Sequence, residues 1–226
     1  MTRLRIVSYN VHGQRDDVAA LAETVRGLAP DVVVVQEAPR RFRWRTKCAQ
    51  LATSFGLLYA AGGLPSLGNL ILTNFRVRVH HTWHMRFPLT PGRHLRGAVF
   101  ARCSVGPSPF TVAGSHLSLD AAERIGQATL LGKALTEADA PVIFAADFNE
   151  NSGGAAWRTL ADGLVDAAVA AGRPGGRTYP ASGPRERIDA VFTDPRIRVV
   201  RYEVVDSPVA RRASDHLPVV VDLTLS

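Results

Sequence analysis

The sequence predicts an α/β (α+β) fold of two packed, mixed sheets with helices on the outside. Three features of the chain predict it. Strand-like segments recur roughly every 10–20 residues, denser than a doubly wound parallel sheet gives. Helical stripes appear only at intervals between them. Some strands are apolar at every position, which requires a covering layer on both faces of a sheet. With 226 residues and 46% hydrophobic content, the chain has enough material for one sizeable core, and the expectation is a single domain over residues 1–226.

The elements follow in order. Residues 4–11, Leu-Arg-Ile-Val-Ser-Tyr-Asn-Val, alternate and are rich in β-branched and aromatic types, which makes a strand. It ends at Asn10-Val11-His12-Gly13, where the glycine marks a turn. An Asn there either caps the turn or offers a carboxamide oxygen to a cation or phosphate. Apolar positions 18, 21, 22, 25, 28 and 29 form a helical stripe that Pro30 stops. Val32-Val33-Val34-Val35 is a strand buried on both faces, and Gln36-Glu37 follows at once. Arg40 to Leu51 reads as a helix with loops, 57–60 as a short strand, and 70–73 and 77–83 as strands. Residues 84–94, with two prolines and His84, Arg86, Arg93 and His94, read as a connection. Arg96 leads into a strand at 98–104, and the next, 110–116, ends at His116.

Asp120 followed by Glu123 has capping-box spacing and opens a helix to about Glu137. Residues 142–149, Val-Ile-Phe-Ala-Ala-Asp-Phe-Asn, are a buried strand that ends in a carboxylate and a carboxamide. Period-2 alternation points Asp147 and Asn149 to one face. A short helix at 155–160 and a further helical turn at 164–168 come next, then a Gly/Pro-rich loop at 172–186. Residues 187–192 are a strand holding Asp189, 197–205 another, and Ser214-Asp215-His216-Leu217-Pro218 precedes the last strand at 219–225.

Bulk properties narrow the function. Net charge is +7, carried almost wholly by arginine, with Arg40, Arg41, Arg43 and Arg45 close together. That favours anionic partners: nucleic acid, phosphorylated metabolites or anionic headgroups. Cys48 and Cys103 make neither a disulfide framework nor a metal cluster and read as reduced, partly buried thiols. No stretch approaches the roughly 20 apolar residues that span a bilayer. The charged start Met1-Thr2-Arg3-Leu4-Arg5 has no signal-peptide core, so the expectation is a cytoplasmic protein, monomeric by default. No helix-turn-helix or zinc-finger spacing supports a transcription factor.

The polar residues at strand ends are Asn10, Glu37, His116, Asp147, Asn149, Asp189, Asp215 and His216. One of them is explained by a capped turn; eight together are not. Oxygen ligands without clustered Cys suit a hard cation, Mg²⁺ with Mn²⁺ as the alternative, rather than zinc. A His beside an Asp, with another Asp elsewhere, suits a base held in one tautomer. Asn side chains can donate to the oxygens of a pentavalent phosphorus. Together they point to metal-assisted phosphoester hydrolysis.

These residues bring a family resemblance with them. The chain resembles the endonuclease/exonuclease/phosphatase family through Ser8-Tyr9-Asn10-Val11-His12-Gly13, Gln36-Glu37, Gly68-Asn69, Ser115-His116-Leu117, Asp147-Phe148-Asn149, Arg187-Ile188-Asp189 and Ser214-Asp215-His216-Leu217-Pro218, in the family's order. The resemblance implies a four-layer αββα sandwich with the site at one end of the two sheets. It implies Glu37, Asn10 and Asp215 as metal ligands and His216 as the base or water-orienting residue, with Asp189 fixing its ring. It further implies Asp147 as the carboxylate that positions or deprotonates the nucleophile, and Asn149 and His116 as donors to phosphate oxygens. Arg96 adds a loosely matched phosphate clamp. Two positions depart from the pattern. His12 stands where abasic-site endonucleases carry an acidic or amide residue, and Ala190 replaces an aromatic. Basic charge favours nucleic acid as the phosphoester partner; the short chain and His12 favour a lipid headgroup or small metabolite. A non-catalytic binding module on the same scaffold would have lost metal or base residues, and here all are present.

Overall fold

The four valines at 32–35 face two ways. Val32 and Val34 join a core that lies between two sheets, whereas Val33 and Val35 join a core beneath helices. The structure, a computed structural model, describes residues 1–225. In chain order its strands are β1 (Thr2–Asn10), β2 (Val32–Gln36), β3 (Leu58–Gly63), β4 (Asn69–Thr73), β5 (Arg78–Arg86), β6 (Gly97–Val105), β7 (Ser108–His116), β8 (Val142–Asp147), β9 (Val165–Asp166), β10 (Asp189–Thr193), β11 (Arg198–Val204) and β12 (Val219–Leu225). Its helices are α1 (Val18–Leu28), α2 (Trp44–Phe55), α3 (Ala121–Thr136), α4 (Ala155–Ala161), α5 (Ala167–Ala170) and α6 (Pro208–Ala213).

Two six-stranded sheets result, ordered β11-β12-β1-β2-β4-β3 and β5-β6-β7-β8-β10-β9. Each is antiparallel except at one central pair, β1–β2 in the first and β7–β8 in the second. A parallel pair needs a crossover, and α1 and α3 supply it. The layers follow from side-chain parity. Leu4, Ile6, Val32, Val34 and Ile71 of the first sheet meet Val99, Val112, Ile143 and Val191 of the second. The opposite parity of the first sheet packs under α1 and α2, with Val7, Val33 and Leu72 against Leu21, Val25 and Leu51. The opposite parity of the second packs under α3 and α4, with Phe144 and Phe192 against Leu131 and Trp157. This is the four-layer αββα sandwich that the sequence implies.

Several boundaries differ from the sequence reading. Helix α2 begins at Trp44 rather than Arg40, because Arg43 is left-handed (φ 59°), and it runs on to Phe55, where left-handed Gly56 ends it. Strand β5 continues through His84 and Arg86, paired to β6, so the connection begins only at Phe87. Residues 164–168 are not one helical turn: Val165–Asp166 pairs with β10, and the Asp166 side chain then caps α5. Helix α6 is unforeseen, although its signal was present: Ser207 accepts the Ala210 amide at 3.1 Å and Pro208 opens the first turn. The capping box of α3 is half direct. Asp120 accepts the Glu123 amide, but Glu123 reaches the Ser118 hydroxyl, which in turn accepts the Asp120 amide. No helix among the described residues is long and apolar enough to cross a membrane.

Two predictions follow from the packing. A Cβ on Gly114 of β7 would overlap the Val34 side chain of β2 across the seam between the sheets. Gly114→Ala should cost about 1–3 kcal/mol of overpacking, read as a lower urea midpoint at unchanged slope. An unchanged midpoint would mean that the sheets part there without strain. Cys48 and Cys103 are free and buried, and burial pushes their thiols up to about 11 and about 12. Both should resist a disulfide reagent at neutral pH in the folded protein and react once denaturant is added.

Candidate active site

At one end of the sandwich the inter-sheet face turns from apolar to polar. Inward positions run Leu4, Ile6, Ser8, Asn10 along β1 and Val32, Val34, Gln36 along β2. They run Phe110, Val112, Gly114, His116 along β7 and Ile143, Ala145, Asp147 along β8. On β10 the same parity carries Val191 and, at its start, Asp189. Strand register aligns these ends. Asn10 lies opposite Gln36, and Asp147 lies between His116 on one side and Asp189 on the other.

Asp147 is the hub, only 1% exposed. Its Oδ2 accepts from Asn10 Nδ2 at 2.9 Å across the seam, and its Oδ1 accepts the Asn149 amide at 2.9 Å. His216 Nδ1 pairs with Asp189 Oδ2 at 2.8 Å. Its Nε2 lies 3.5 Å from Asn10 Nδ2 and 3.8 Å from Asp147 Oδ2. The loop after α6 delivers His216: the Ser214 hydroxyl donates to the Asn10 carbonyl at 2.7 Å and accepts the His216 amide at 3.3 Å.

Asn149 reaches the site by a different route from the one its spacing suggests. Strand β8 ends at Asp147, and Asn149 is left-handed (φ 49°), held by its amide bond to Asp147. Its side chain still arrives beside Asp147. Nδ2 donates to the Leu117 carbonyl at 2.9 Å, which identifies this end as the amide nitrogen, and its second proton faces His116 Nε2 at 2.9 Å. His116 Nε2 also lies 3.3 Å from Asp147 Oδ2, and Nδ1 lies 4.0 Å from Glu37 Oε1.

The two histidines differ in charge. Burial pushes the His116 imidazole down to about 3, outweighing Asp147, with Arg96 and Arg40 acting in the same direction as burial. The ring is neutral. Burial would lower His216 too, but the charge and hydrogen bond of Asp189, with Asp147 and Asp215 beyond, raise it to about 10. Two imidazoles at one site thus take different protonation states from their neighbours alone.

Glu37 leaves β2 in a left-handed conformation (φ 56°). With Asp215, Arg96 and His116 it lines a cleft of about 1010 Å³, and His116 connects that cleft to the hub at 3.3 Å. Among the described residues, neither Glu37 nor Asp215 has a Lys or Arg partner; their near neighbours are His116 at 4.0 Å and His12 at 3.7 Å. Asn10 Oδ1 accepts the His12 amide at 3.0 Å and keeps one lone pair. These are hard oxygen donors left uncompensated on the cleft side, a donor set that fits a divalent cation of the Mg²⁺ class. Arg96 enters the cleft with no carboxylate partner among the described residues; burial lowers its pKa, while Asp147 and Glu37 oppose that.

The motifs and their arrangement match a known profile. The sequence profile of the Endonuclease/Exonuclease/phosphatase family covers residues 7–216. This chain belongs to that family. Solved structures of family members share its fold. One from Bacteroides thetaiotaomicron is 18% identical with a TM-score of 0.81, covering 98% of this chain and 95% of that one. A mannosyl-6-phosphatase from the same organism is also 18% identical, with a TM-score of 0.81 and coverage of 98% and 99%. D. rerio TDP2, complexed with a single-strand DNA product, is 21% identical, with a TM-score of 0.78 and coverage of 99% and 100%. No curated protein matches the sequence. At these identities the solved structures establish the fold.

Within this family fold, several supports escaped the sequence. Thr178 Oγ1 accepts the Asp189 amide at 3.3 Å, and the Tyr179 ring lies 4.8 Å from the His216 ring. Both come from the Gly/Pro-rich loop, where only their being a Thr and an aromatic among small residues could have marked them. Asp16 holds His12 Nδ1 at 2.8 Å, an i,i+4 pair legible only once His12 is placed. Arg124 braces the two donor loops at once. It donates to the Ser118 carbonyl at 2.7 Å and pairs with Glu150 at 3.4 Å, one residue beyond Asn149. Arg124→Met would leave Glu150 half-paired in a buried setting, so it should cost about 3–5 kcal/mol. That loss is read by urea unfolding; a cost near zero would remove the brace from the account.

Proposed function

We propose that this chain is a divalent-metal-dependent phosphodiesterase in which water attacks the phosphorus in line. One observation carries the reading. The buried Asp189–His216 pair, Asn10 and Asp147 converge at one end of the sandwich, and His116, 3.3 Å from Asp147, joins them to a cleft lined by the uncompensated carboxylates Glu37 and Asp215. Glu37, Asp215 and the free lone pair of Asn10 Oδ1 would hold Mg²⁺, with Mn²⁺ the alternative, and the bound cation would supply charge stabilisation to the phosphate oxygens.

The chain's own groups do the rest. The attacking water sits beside Asp147 Oδ2, which takes its proton, while the protonated His216, 3.8 Å from that oxygen, orients the water through Nε2–H. Asp189 fixes the His216 ring through Nδ1, so only Nε2 faces the reacting atoms. Asn149 and His116 serve the phosphate. An arriving oxygen takes the Asn149 proton that otherwise faces His116 Nε2. His116, neutral, adds no positive charge, and Arg96 supplies that charge as the clamp.

A second reading keeps the chemistry and changes the substrate to a lipid headgroup or small phosphorylated metabolite. It draws on the mannosyl-6-phosphatase among the structural neighbours.

Hydrolysis of bis(p-nitrophenyl) phosphate, tested with nucleic acid, sphingomyelin and inositol phosphates alongside, separates these readings. Activity should require Mg²⁺ or Mn²⁺ and vanish in EDTA. His216→Ala and Asp189→Asn should each lower kcat by at least about 100-fold, with the fold intact by circular dichroism. Glu37→Gln should weaken Mn²⁺ binding measured by calorimetry. Full rate from His216→Ala on every phosphoester that the wild type cleaves would refute the mechanism.

A further inference from the structure

The cleft carries more positive charge than one phosphate uses. Arg15, Arg40, Arg41, Lys47 and Arg96 all line it. Among the described residues none of the five makes a salt bridge, whereas Arg102, Arg124, Arg187, Arg196 and Arg211 each hold a carboxylate. Arg40 spends one donor on the Leu67 carbonyl at 3.0 Å and is otherwise unpaired. Residues 38–55 contain Arg40, Arg41, Arg43, Arg45 and Lys47 and no Asp or Glu at all. Phe42 sits between two of these arginines and is 84% exposed. Left-handed Arg43 behind it keeps this stretch out of α2 and in front of the helix.

One phosphate is already served by Arg96, Asn149 and His116. Arg15, Arg40, Arg41 and Lys47 are surplus for a monophosphate and match a chain of phosphates. Phe42, next to Arg41 in the chain and exposed outside the cleft lining, matches a polymer that shows base faces. A duplex hides its base faces in the stack, and a bilayer would be met by protruding cations, whereas these line a concave wall. We propose that the Arg40–Lys47 wall with Phe42 is a docking surface for single-stranded nucleic acid, with a base stacked on Phe42 and successive phosphates on the arginines, leading the strand to the catalytic floor. The proposal rests on the phosphodiesterase reading of that floor. It adds which polymer enters and by which residues, and the wall is joined to the floor directly, since the same segment begins at Glu37.

The test uses the intact protein. A fluorescein-labelled oligothymidylate of about 12 nucleotides is titrated in EDTA, so that nothing is cut, beside a duplex of equal length and phosphatidylserine–phosphatidylcholine vesicles. The single strand should bind tightest. Phe42→Ala should weaken it about tenfold, and Phe42→Trp should restore it. Arg41→Gln should lower the slope of log affinity against log salt by about 0.7. In both weakened variants the loss on the strand should exceed the loss on bis(p-nitrophenyl) phosphate by about tenfold. Equal binding of strand and duplex, preference for vesicles, or unchanged strand affinity in Phe42→Ala would overturn the proposal. If strand binding fails while the small diester is still hydrolysed, the docking surface alone falls. If the strand binds as expected but no diester is cleaved, the catalytic reading falls and the surface stands.

Discussion

The constraint on which this structure turns is a carboxylate buried between two sheets. Asp147 occupies a position that, by parity, belongs to the apolar core, one step beyond Ala145 on the same face. A lone buried carboxylate costs several kcal/mol, so the fold has to bring partners to it. It does so from both sheets: Asn10 from the first, and His116 and the Asn149 amide from the second, with His216 behind Asn10. The polar end of the sandwich is therefore not a loop decoration. It is a continuation of the core in which hydrogen bonds replace apolar contact, held by the same register that aligns the valines.

That origin explains why the two histidines differ. Both are almost fully buried, and both lie within 4 Å of Asp147. His116 shares Nε2 between the Asn149 carboxamide at 2.9 Å and Asp147 at 3.3 Å and has no carboxylate within hydrogen-bond distance of Nδ1, so desolvation wins and the ring is neutral. His216 has Asp189 at hydrogen-bond distance, so charge wins. Environments that push like groups apart are how a single site obtains both a neutral ring and a charged one. Further contacts hold these groups in place: Thr178 on the Asp189 backbone, and Arg124 between the loops that follow His116 and Asn149.

Most of this was legible in the sequence because its signals are local. An apolar run that stops at a carboxylate or carboxamide announces itself, and so Asn10, Glu37, His116, Asp147, Asn149, Asp189, Asp215 and His216 could be named before any fold was known. Register then aligns Asn10, His116, Asp147 and Asp189, and the turns and loop that follow the strands bring the other four. What was illegible depends on contacts between distant segments or on single backbone conformations. Arg43 turning left-handed moves the start of α2 by four residues and nothing in its side chain says so. Val165–Asp166 pairs with β10 because a partner strand offers an edge, overriding a weak helical pattern. Asn149 shows a sound conclusion reached through an incomplete reason: alternation stops at Asp147, and a left-handed turn, not the pleat, returns the side chain to the same place.

The left-handed residues carry the argument one step further. His12, Glu37 and Asn149 all have positive φ, and each directly follows or nearly follows a strand that ends at the site. For a side chain other than Gly or Asn this conformation costs on the order of 1 kcal/mol. Glycine would relieve it at 12 and 37 but would remove the imidazole and the carboxylate. The alternation of a strand can present only every second side chain to the seam, which for β2 is Gln36. A left-handed residue immediately afterwards redirects the next one, so Glu37 reaches the cleft although its parity assigns it to the helix side. The strain at these positions is thus the geometric means by which a sheet edge delivers adjacent residues to one cavity. It also explains why the site lies where strands end: only there can the chain leave the pleat and still be held by it.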